Sequence, residues 1–290
     1  MNKLYILLPV HNRKNITQQF ISCLKKQTFT NYHLILIDDG STDGTEEMVR
    51  SQISNLTIIK GDGNLWWGGS LHQGFLWLKS QSINLSDFVL IINDDVLFDK
   101  EYFNTAINIL KEQTRTLLIT QVYGKASQQL IDGAVYIDWK RWKITLQKDV
   151  TNFNCASTRG LFFCVSDFME IGGFHPILLP HYGSDYEFTI RATRKGFQLL
   201  INENLKAIIN EQTTGFHDLT NEKTYGQYLK KLFSKKSTMN PIYLTNLIAF
   251  SSPWQWKISN WLLVWSSTFW KIARYFFIFC LFRSCNKSQK

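Results

Sequence analysis

The stretch of sequence that decides the fold is Phe88-Val89-Leu90-Ile91-Ile92-Asn93-Asp94-Asp95-Val96. Its five leading apolar residues are too few for a helix and are typical of a buried strand in a parallel sheet. Asp94 and Asp95 follow at the carboxyl end of that strand, the edge where open α/β sheets usually hold ligands. Adjacent carboxylates at this edge suit a hard divalent cation that binds phosphates. An ordinary turn is the alternative, because Asn and Asp side chains also bond nearby backbone groups.

The first 60 residues alternate between strand and helix patterns. Apolar runs predict strands over residues 4–9, 33–37 and 56–60, and a helix is predicted over residues 15–26. After the second strand, Ser41 or Thr42 is expected to cap the next helix. Strands and helices alternating at this pitch predict βαβ units, and therefore an α/β fold with a doubly wound, mostly parallel sheet.

Five motifs occur in the order found in the family-2 glycosyltransferases. They are Leu-Pro-Val-His-Asn-Arg at 8–13, Asp-Asp-Gly-Ser-Thr-Asp-Gly-Thr at 38–45, Asn-Asp-Asp at 93–95, Gly-Gly-Phe at 172–174 and Ser-Asp-Tyr-Glu-Phe-Thr-Ile-Arg at 184–191. One such motif is weak evidence, whereas five in the right order across residues 1–215 are strong. The chain resembles an inverting nucleotide-sugar transferase of the GT-A fold, on the rhamnosyltransferase-like branch of cell-surface polysaccharide enzymes.

The resemblance implies a donor site at the strand ends of the N-terminal half. In the family the Asp-Asp-Gly-Ser segment binds the nucleotide base, which makes Asp38 and Asp39 candidates for holding a pyrimidine; a turn with a helix cap is the alternative. Asp95, with Asp94 beside it, resembles the pair that binds Mg²⁺ or Mn²⁺ on the donor diphosphate, where the metal acts as a Lewis acid. The remaining donor-side candidates are Pro9, Asn12, Gly68 and Gly69.

Asp185 is the candidate catalytic base. Inverting transfer needs a base near the acceptor hydroxyl, on the face opposite the leaving group. The family usually has Glu-Asp at this site; here Ser184 replaces the Glu and leaves Asp185 in register, with a helix N-cap as the alternative role. Glu187 and Arg191, spaced i, i+4 on a helix predicted over residues 184–195, are expected to form an exposed ion pair.

Further candidates lie on the acceptor side and near the metal. Arg159 and Gly160 resemble the family segment that lines the acceptor. His217 loosely matches a late His that joins the metal shell in some relatives, although a lone His is more often structural. Trp66 and Trp67 either pack in the core, as large apolar side chains usually do, or offer a face on which a sugar stacks.

Charge and composition divide the chain at residue 222. All 23 acidic residues lie in residues 1–222, which carry a net charge of −2, whereas residues 223–290 hold 11 Lys and Arg and five of the ten Trp. We therefore expect a GT-A catalytic domain over 1–222, with a nucleotide-sugar half at about 1–122 and an acceptor half at about 123–222. Residues 223–290 are predicted to form a helical tail. Trp favours the membrane interface and Lys and Arg favour anionic headgroups, so an amphipathic helix lying on a membrane is expected.

Other interpretations of the tail, and the cellular setting, follow from the same composition. The longest uncharged stretch of the aromatic segment, 258–270, has 13 residues, fewer than the roughly 20 that cross a bilayer. The alternatives are packing of the tail on the catalytic domain or an oligomer contact. Nucleic-acid binding would explain the charge but not the apolar run. With no signal peptide and no disulfide framework, the expected location is the cytoplasmic face of the inner membrane, as a peripheral protein.

These features predict an inverting glycosyltransferase that moves a sugar from a nucleoside-diphosphate donor to a hydroxyl of a glycan or lipid-linked acceptor in cell-surface polysaccharide synthesis. One alternative is a non-catalytic carbohydrate-binding or scaffolding protein on a transferase fold, which the intact Asp39, Asp95 and Asp185 argue against. A nucleotidyltransferase is disfavoured because no Gly-rich, basic triphosphate loop follows the first strand. The sequence leaves the sugar, the nucleotide and the acceptor open.

Overall fold

Strands and helices alternate through the N-terminal part of the chain, in agreement with the sequence pattern. The structure is a computed structural model that describes residues 2–147, 152–211 and 224–287; His217 lies outside these ranges. The first elements are β1 (Leu4–Val10), α1 (Lys14–Leu24), β2 (Tyr32–Asp38), α2 (Thr45–Arg50), β3 (Leu56–Lys60), α3 (Trp66–Ser80), β4 (Phe88–Ile91), β5 (Val96–Leu97) and α4 (Tyr102–Lys111).

The second half of the chain contributes shorter strands and the C-terminal helices. The strands and the helices between them are β6 (Thr116–Gly124), β7 (Leu130–Asp132), β8 (Ala134–Asp138), β9 (Lys143–Leu146), β10 (Cys155–Ala156), β11 (Leu161–Cys164), α5 (Val165–Ile171), α6 (Ser184–Arg194) and β12 (Gln198–Ile209). Three helices follow: α7 (Tyr225–Leu232), α8 (Pro241–Ser251) and α9 (Trp254–Lys287).

One large sheet forms the centre of the fold. Its strand order is β3-β2-β1-β4-β11-β6-β12-β5, with β7 paired to β6. Strands β3, β2, β1 and β4 are parallel, as are β6 and β12, whereas β11 runs antiparallel between β4 and β6. A smaller antiparallel sheet has the order β10-β8-β9. The parallel strands place the carboxyl ends of β1, β2 and β4 at the same edge.

Helices cover both faces of the central sheet. On β1, Leu4, Ile6 and Leu8 pack on the side of α1, α2 and α4, and alternate residues such as Leu7 pack on the side of α3, α5 and α6. All four of these side chains are fully buried. Burying a Leu or Ile side chain contributes about 1.5–3 kcal/mol. A strand that is covered on both faces is therefore stable and fixes the position of the loop at its end.

The predicted capping of α2 by Ser41 or Thr42 is wrong. Asp43 provides the bonds, because its carboxylate accepts the N–H of Thr45 at 3.1 Å and, with its other oxygen, the N–H of Lys14 at 2.9 Å. One acidic side chain therefore holds the first turns of both α1 and α2. The loops that follow β1 and β2 are tied together as a result.

The ion pair between Glu187 and Arg191 is largely buried, not exposed as predicted. Glu187 is only 4% exposed, and Arg191 Nε lies 2.8 Å from its carboxylate. The guanidinium also donates to the carbonyls of Ile171 at 2.6 Å and Gly173 at 2.8 Å. The pair thus fastens α6 to the Gly-Gly-Phe turn after α5.

Helix α8 packs against α6 and the β8–β9 hairpin. Ile248 of α8 joins a buried cluster with Val135, Ile190 and Val264. Arg194 of α6 donates hydrogen bonds to two carbonyls at the end of α8. The start of the C-terminal segment is therefore integrated with the preceding fold, as one interpretation of the sequence expects.

Helix α9 buries a narrow, partly polar stripe and exposes several of its aromatic residues, whereas Trp256 packs against a buried cluster and Tyr275 stacks on the buried Tyr228. Asn260, Val264 and Thr268, spaced four residues apart, are 0%, 4% and 6% exposed. Among the α9 side chains that the structure describes, the large apolar residues that are at least 65% exposed are Trp254, Ile258, Phe269, Trp270 and Phe277. This distribution is the reverse of an ordinary surface helix, which turns its apolar face to the core. Within the ranges that the structure describes, no helix combines the length and the apolar character needed to cross a bilayer.

Candidate functional site

The carboxyl ends of β1, β2 and β4 open into a cavity of about 390 Å³. That volume lies in the range of small-molecule binding sites. The residues lining the cavity are Pro9, Val10, His11, Arg13, Asp39, Gly63, Trp66, Trp67, Ser70, Asn93, Asp94, His181 and Lys236. The cavity thus brings together three of the predicted site residues, Pro9, Asp39 and Asp94, with basic and aromatic side chains from distant parts of the chain.

Asp94 and Asp95 form a buried carboxylate pair beside Arg13. Arg13 Nε lies 3.3 Å from Asp94 Oδ1, and its Nη2 lies 3.4 Å from Asp95 Oδ2. Thr17 Oγ1 donates to the other Asp94 oxygen at 2.9 Å. Burial raises the pKa of Asp94 to about 6, against the opposing effect of the Arg13 charge. The pair therefore holds negative charge that Arg13 only partly offsets.

The pair has a free ligand position. Asp95 Oδ1 is buried and has no hydrogen-bond partner among the described residues. A bare buried carboxylate oxygen is costly and is also the preferred ligand atom of Mg²⁺ or Mn²⁺. Within residues 2–147, 152–211 and 224–287 no cluster of three or more His, Cys, Asp or Glu could hold a metal. Mg²⁺ is usually bound through one or two carboxylates together with substrate phosphates, and this pair fits that mode.

Arg159 links Asp95 to the second half of the fold. Its Nη1 lies 3.8 Å from Asp95 Oδ2, and its Nε lies 3.2 Å from Asp132 Oδ2. The neighbouring Gly160 has a φ of +94°, and a Cβ there would lie 2.7 Å from Thr120 Oγ1. The conformation and the lack of space together require glycine. The structure thus places Arg159 beside Asp95, while a role for either residue toward the acceptor stays a prediction.

Asp185 lies at the start of α6 and contacts Trp67 of the cavity wall. Trp67 Nε1 donates to Asp185 Oδ1 at 2.7 Å and to Thr158 Oγ1 at 3.0 Å. Burial raises the pKa of the Asp185 carboxyl to about 6, and the negative charge of Asp132 acts in the same direction; hydrogen bonds from Thr158 and Trp67 oppose it. A carboxyl with this pKa is ionised at neutral pH and is a stronger base than an ordinary aspartate.

Asp39 and Asp38 are occupied by backbone hydrogen bonds. The Asp39 carboxylate accepts the N–H groups of Gly63 at 2.9 Å, Leu65 at 3.1 Å and Trp66 at 3.0 Å. Asp38 Oδ1 accepts the N–H of Ser41 at 2.8 Å. These contacts are those of the turn interpretation, and Asp39 in addition lines the cavity. Base binding by the two residues stays a prediction.

Other residues that were predicted to bind the sugar donor connect loops of this chain. Asn12 Oδ1 accepts the N–H of Thr42 at 2.8 Å, which joins the loops after β1 and β2. Gly68 donates its N–H to Pro180 O at 2.8 Å, and a Cβ at Gly68 would lie 2.5 Å from Leu179 O. Gly69 faces Leu65. Gly68 therefore allows a close approach to the backbone of Leu179 and Pro180.

The two tryptophans have different positions. Trp67 packs partly against the core and donates to Asp185, so it positions the carboxylate. Trp66 has a φ of +60°, which is uncommon for an aromatic residue, and its ring lies in the cavity wall. His181 approaches that ring with the two centroids 5.6 Å apart. Neither tryptophan is simply a core residue.

None of the His, Arg and Lys side chains that line the cavity was predicted from the sequence as a site residue; they are His11, Arg13, His181 and Lys236. Arg13 is the basic residue of the first motif, so its position directly after β1 was a usable signal. His181 and Lys236 come from loops far along the chain, and no local pattern marks them.

The family follows from comparison with known sequences. The sequence model described as "Glycosyl transferase family 2" matches residues 5–166, which include the ends of β1, β2 and β4. The chain belongs to glycosyl transferase family 2. The enzyme is 21% identical over 271 residues to the glycosyltransferase AglE of Haloferax volcanii, a match that covers 89% of this chain and 79% of AglE.

A further relative is the poly(ribitol-phosphate) β-N-acetylglucosaminyltransferase TarS of Staphylococcus aureus. It is 25% identical over 126 residues, which are 43% of this chain but only 22% of TarS. The structure of S. aureus TarS residues 1–349 in complex with UDP-GlcNAc has a TM-score of 0.59 at 16% identity, covering 91% of this chain and 79% of that one. At this identity the likeness concerns the fold, and it confirms the predicted GT-A type.

A second solved structure shares the fold. The mannosyltransferase PcManGT of Pyrobaculum calidifontis, in complex with GDP-Man and Mn²⁺, has a TM-score of 0.53 at 10% identity, covering 85% of this chain and 63% of that one. The family match confirms, at the level of the family, the prediction that the protein is a glycosyltransferase.

We expect the stability of the protein to depend on pH through Asp185. Because folding raises the pKa of this carboxyl from 3.8 to about 6, its ionisation disfavours the folded state as the pH rises from about 4 to about 6. Over this interval the wild type should lose unfolding free energy relative to Asp185→Asn, and the difference should be constant above it. Urea denaturation between pH 4 and 8 measures this difference.

Asp43 provides the matched control, because the hydrogen bond from the Thr45 hydroxyl lowers the pKa of its carboxyl. Relative to Asp43→Asn, the wild type should gain stability as the pH rises toward the ordinary aspartate pKa of 3.8, the opposite sign to Asp185, so for this variant the urea series is extended below pH 4. A wild type that keeps a constant difference from Asp185→Asn across the whole range would show that the Asp185 pKa is not raised.

Proposed function

We propose that this family 2 enzyme transfers a sugar, with inversion, from a nucleoside-diphosphate donor to a hydroxyl of a glycan or lipid-linked acceptor in cell-surface polysaccharide synthesis. The observation that carries the proposal is the bare, buried Oδ1 of Asp95 beside Asp94 at the carboxyl end of β4. Oxygen ligands of this kind bind a divalent cation that in turn binds phosphates. A hexose such as rhamnose is the class of sugar that we infer from the sequence motifs.

Asp95 and Asp94 are the residues that would hold Mg²⁺ or Mn²⁺. A cation bound there would offset the charge that grows on the leaving nucleoside diphosphate. Arg13 offsets part of the charge of the pair itself, and Pro9 and Asp39 line the same cavity. The GDP-Man and Mn²⁺ of PcManGT and the UDP-GlcNAc of TarS support a donor of this chemical class.

Asp185 is the base in this proposal. Its carboxylate takes the proton of the acceptor hydroxyl while that oxygen attacks the anomeric carbon from the face opposite the leaving diphosphate. The bond between the anomeric carbon and the donor oxygen breaks, and the nucleoside diphosphate leaves with the electron pair. Trp67 and Thr158 hold the Asp185 carboxylate in place. The raised pKa of this carboxyl makes it a suitable proton acceptor near neutral pH.

The division at residue 222 and the membrane location belong to the same proposal. Residues 1–222 would form the catalytic part, and residues 223–290 would hold it on the cytoplasmic face of an anionic membrane. Two observations support this role for α9: its exposed face has the large aromatic residues, and no acidic residue follows Glu222. An exposed apolar face of this size on an acid-free, basic segment matches an anionic bilayer surface in both hydrophobicity and charge.

The metal role predicts the behaviour of Asp95→Asn. In a thermal-shift screen of UDP-, GDP-, CDP- and dTDP-sugars with Mn²⁺, the matching donor at 100 times its Kd should stabilise the wild type by about 2.7 kcal/mol. Asp95→Asn should lose this Mn²⁺-dependent stabilisation and its transferase activity, because the amide is a poor cation ligand. Its melting temperature without ligands should stay close to that of the wild type.

The matched control is Asp99→Asn, which changes an exposed aspartate four residues further along the chain. It should respond to donor and Mn²⁺ like the wild type. If Asp95→Asn is stabilised by donor and Mn²⁺ as strongly as the wild type, the pair does not hold the metal. If no nucleotide-sugar stabilises the wild type, the donor class itself is wrong.

The membrane role predicts that the wild type floats with anionic phosphatidylglycerol-containing vesicles at low salt. Each basic residue near such a surface contributes about 1 kcal/mol, and burial of aromatic side chains adds several more. Replacing Phe269 and Trp270 by Glu should reduce the bound fraction at least tenfold. Flotation at low and high salt measures both contributions, and salt should weaken wild-type binding only in part.

The control for this experiment replaces exposed apolar residues outside the tail, Leu85 and Ile177, by Glu. These side chains are 56% and 85% exposed, and the change should leave flotation unaltered. A wild type that stays with the soluble fraction at low salt contradicts the membrane role.

A further inference from the structure

Two lysines from the segment between α7 and α8 lie near Trp66, a residue of the cavity wall, and one of them lines the cavity. Lys236 is exposed and lines the cavity, with its ammonium 5.7 Å from the centre of the Trp66 ring. The ammonium of Lys235 lies 6.0 Å from the same ring. A cation over a tryptophan face is attracted by the ring electrons, which favours this arrangement. The basic C-terminal segment therefore contributes to the site at the end of the parallel strands.

The position of these lysines is fixed through Asn64. Lys235 Nζ donates to Asn64 Oδ1 at 2.8 Å, and Trp66 Nε1 donates to the same oxygen at 3.2 Å. The loop that contains Asn64 and Trp66 is in turn held by the Asp39 carboxylate through three backbone hydrogen bonds. A chain of polar contacts thus runs from the end of β2 to Lys235. Lys236, the next residue, is placed at the cavity.

The negative charge in the cavity favours a lysine that binds phosphate oxygens. Asp39 and Asp94 line the cavity, and Asp94 lies within the buried pair next to Arg13. A nucleoside diphosphate brings further negative charge, more than one divalent cation neutralises. A lysine ammonium is a compact charge on a flexible stem, which suits it to phosphate oxygens.

We propose that Lys236 binds the diphosphate of the donor, and that Lys235 and Asn64 are positioning residues for it. This inference rests on the proposed function, since it names a residue for the same donor. It gives the C-terminal segment a part in donor binding that is separate from any contact with a membrane. The ligand class is the diphosphate, so the effect should not extend to a nucleoside without phosphates.

Calorimetric titration of the full-length protein tests this inference. The probes are UDP, GDP, CDP and dTDP with Mn²⁺, and uridine, guanosine, cytidine and thymidine as the matching nucleosides. Lys236→Ala should weaken binding of the matching diphosphate about tenfold and that of its nucleoside less than twofold, because one charge-assisted contact is lost. Lys236→Arg should retain most of the affinity. Asn64→Ala should weaken diphosphate binding about threefold, and adding Lys236→Ala to it should cost less than the product of the two effects.

The control is Lys230→Ala, which removes the same charge from an exposed position on α7 and should leave both affinities unchanged. Melting temperatures establish that each variant is folded, and Lys236→Gln replaces Lys236→Ala if the latter is not. Equal diphosphate affinity in wild type and Lys236→Ala overturns the inference and leaves the proposed donor class standing. An equal loss for diphosphate and nucleoside also overturns it, since the residue would then act on the whole site. A wild type that binds none of UDP, GDP, CDP and dTDP removes both proposals.

Discussion

Strand β1 lies between β2 and β4, and both pairings are parallel. In this register Leu7 is opposite Ile91 and Val10 is opposite Asp38. The polar segments that follow the three strands therefore emerge side by side at one edge of the sheet. Because the strands are buried on both faces, several kcal/mol of apolar burial stabilise them. The stable strands in turn fix the positions of these short loops. Every residue proposed here for the donor depends on this arrangement.

The acidic residues at that edge differ in how their oxygens are satisfied. The Asp39 carboxylate accepts three backbone N–H groups, and Asp38 accepts one within its own turn. Asp94 has Thr17 and Arg13 as partners, whereas Asp95 retains a buried oxygen without one among the described residues. The first two are thus largely committed to shaping loops. A cation bound to Asp94 and Asp95, which follow β4, would offset the unfavourable negative charge of this pair.

Local sequence patterns predict much of this fold. The runs of apolar residues give β1 to β4 within one residue at each end, and the order of the motifs identifies the family. The i, i+4 spacing of Glu187 and Arg191 predicts their pairing but not its burial, since burial depends on the turn after α5 that packs over them. The double role of Asp43 likewise requires that two loops meet. The contact between Trp67 and Asp185 joins residues 118 positions apart, and no local pattern specifies it.

In the C-terminal segment, too, local sequence patterns predict the helix but not its tertiary contacts. Its composition predicts a basic aromatic helix, and the described part of this range forms three helices, α7, α8 and α9. Which side of α9 faces the protein was not predictable, because Asn260 and Thr268 are buried while stronger apolar residues are exposed. The approach of Lys236 to the cavity depends on how the α7–α8 connection crosses the loop at Asn64. Both features arise from tertiary contacts between parts of the chain that are far apart in sequence.

We propose that Asp185 accepts the proton of the acceptor hydroxyl while the side of the cavity formed by Asp94, next to Asp95, holds the donor. The most direct measurement is transfer of labelled sugar to membrane lipids by Asp185→Asn, from whichever nucleotide-sugar stabilises the wild type, together with the Kd of that donor. We predict that transfer falls roughly 10²–10⁴-fold, the usual contribution of a general base, while the Kd stays within about twofold of the wild-type value. Undiminished transfer, or loss of donor binding in its place, would contradict it.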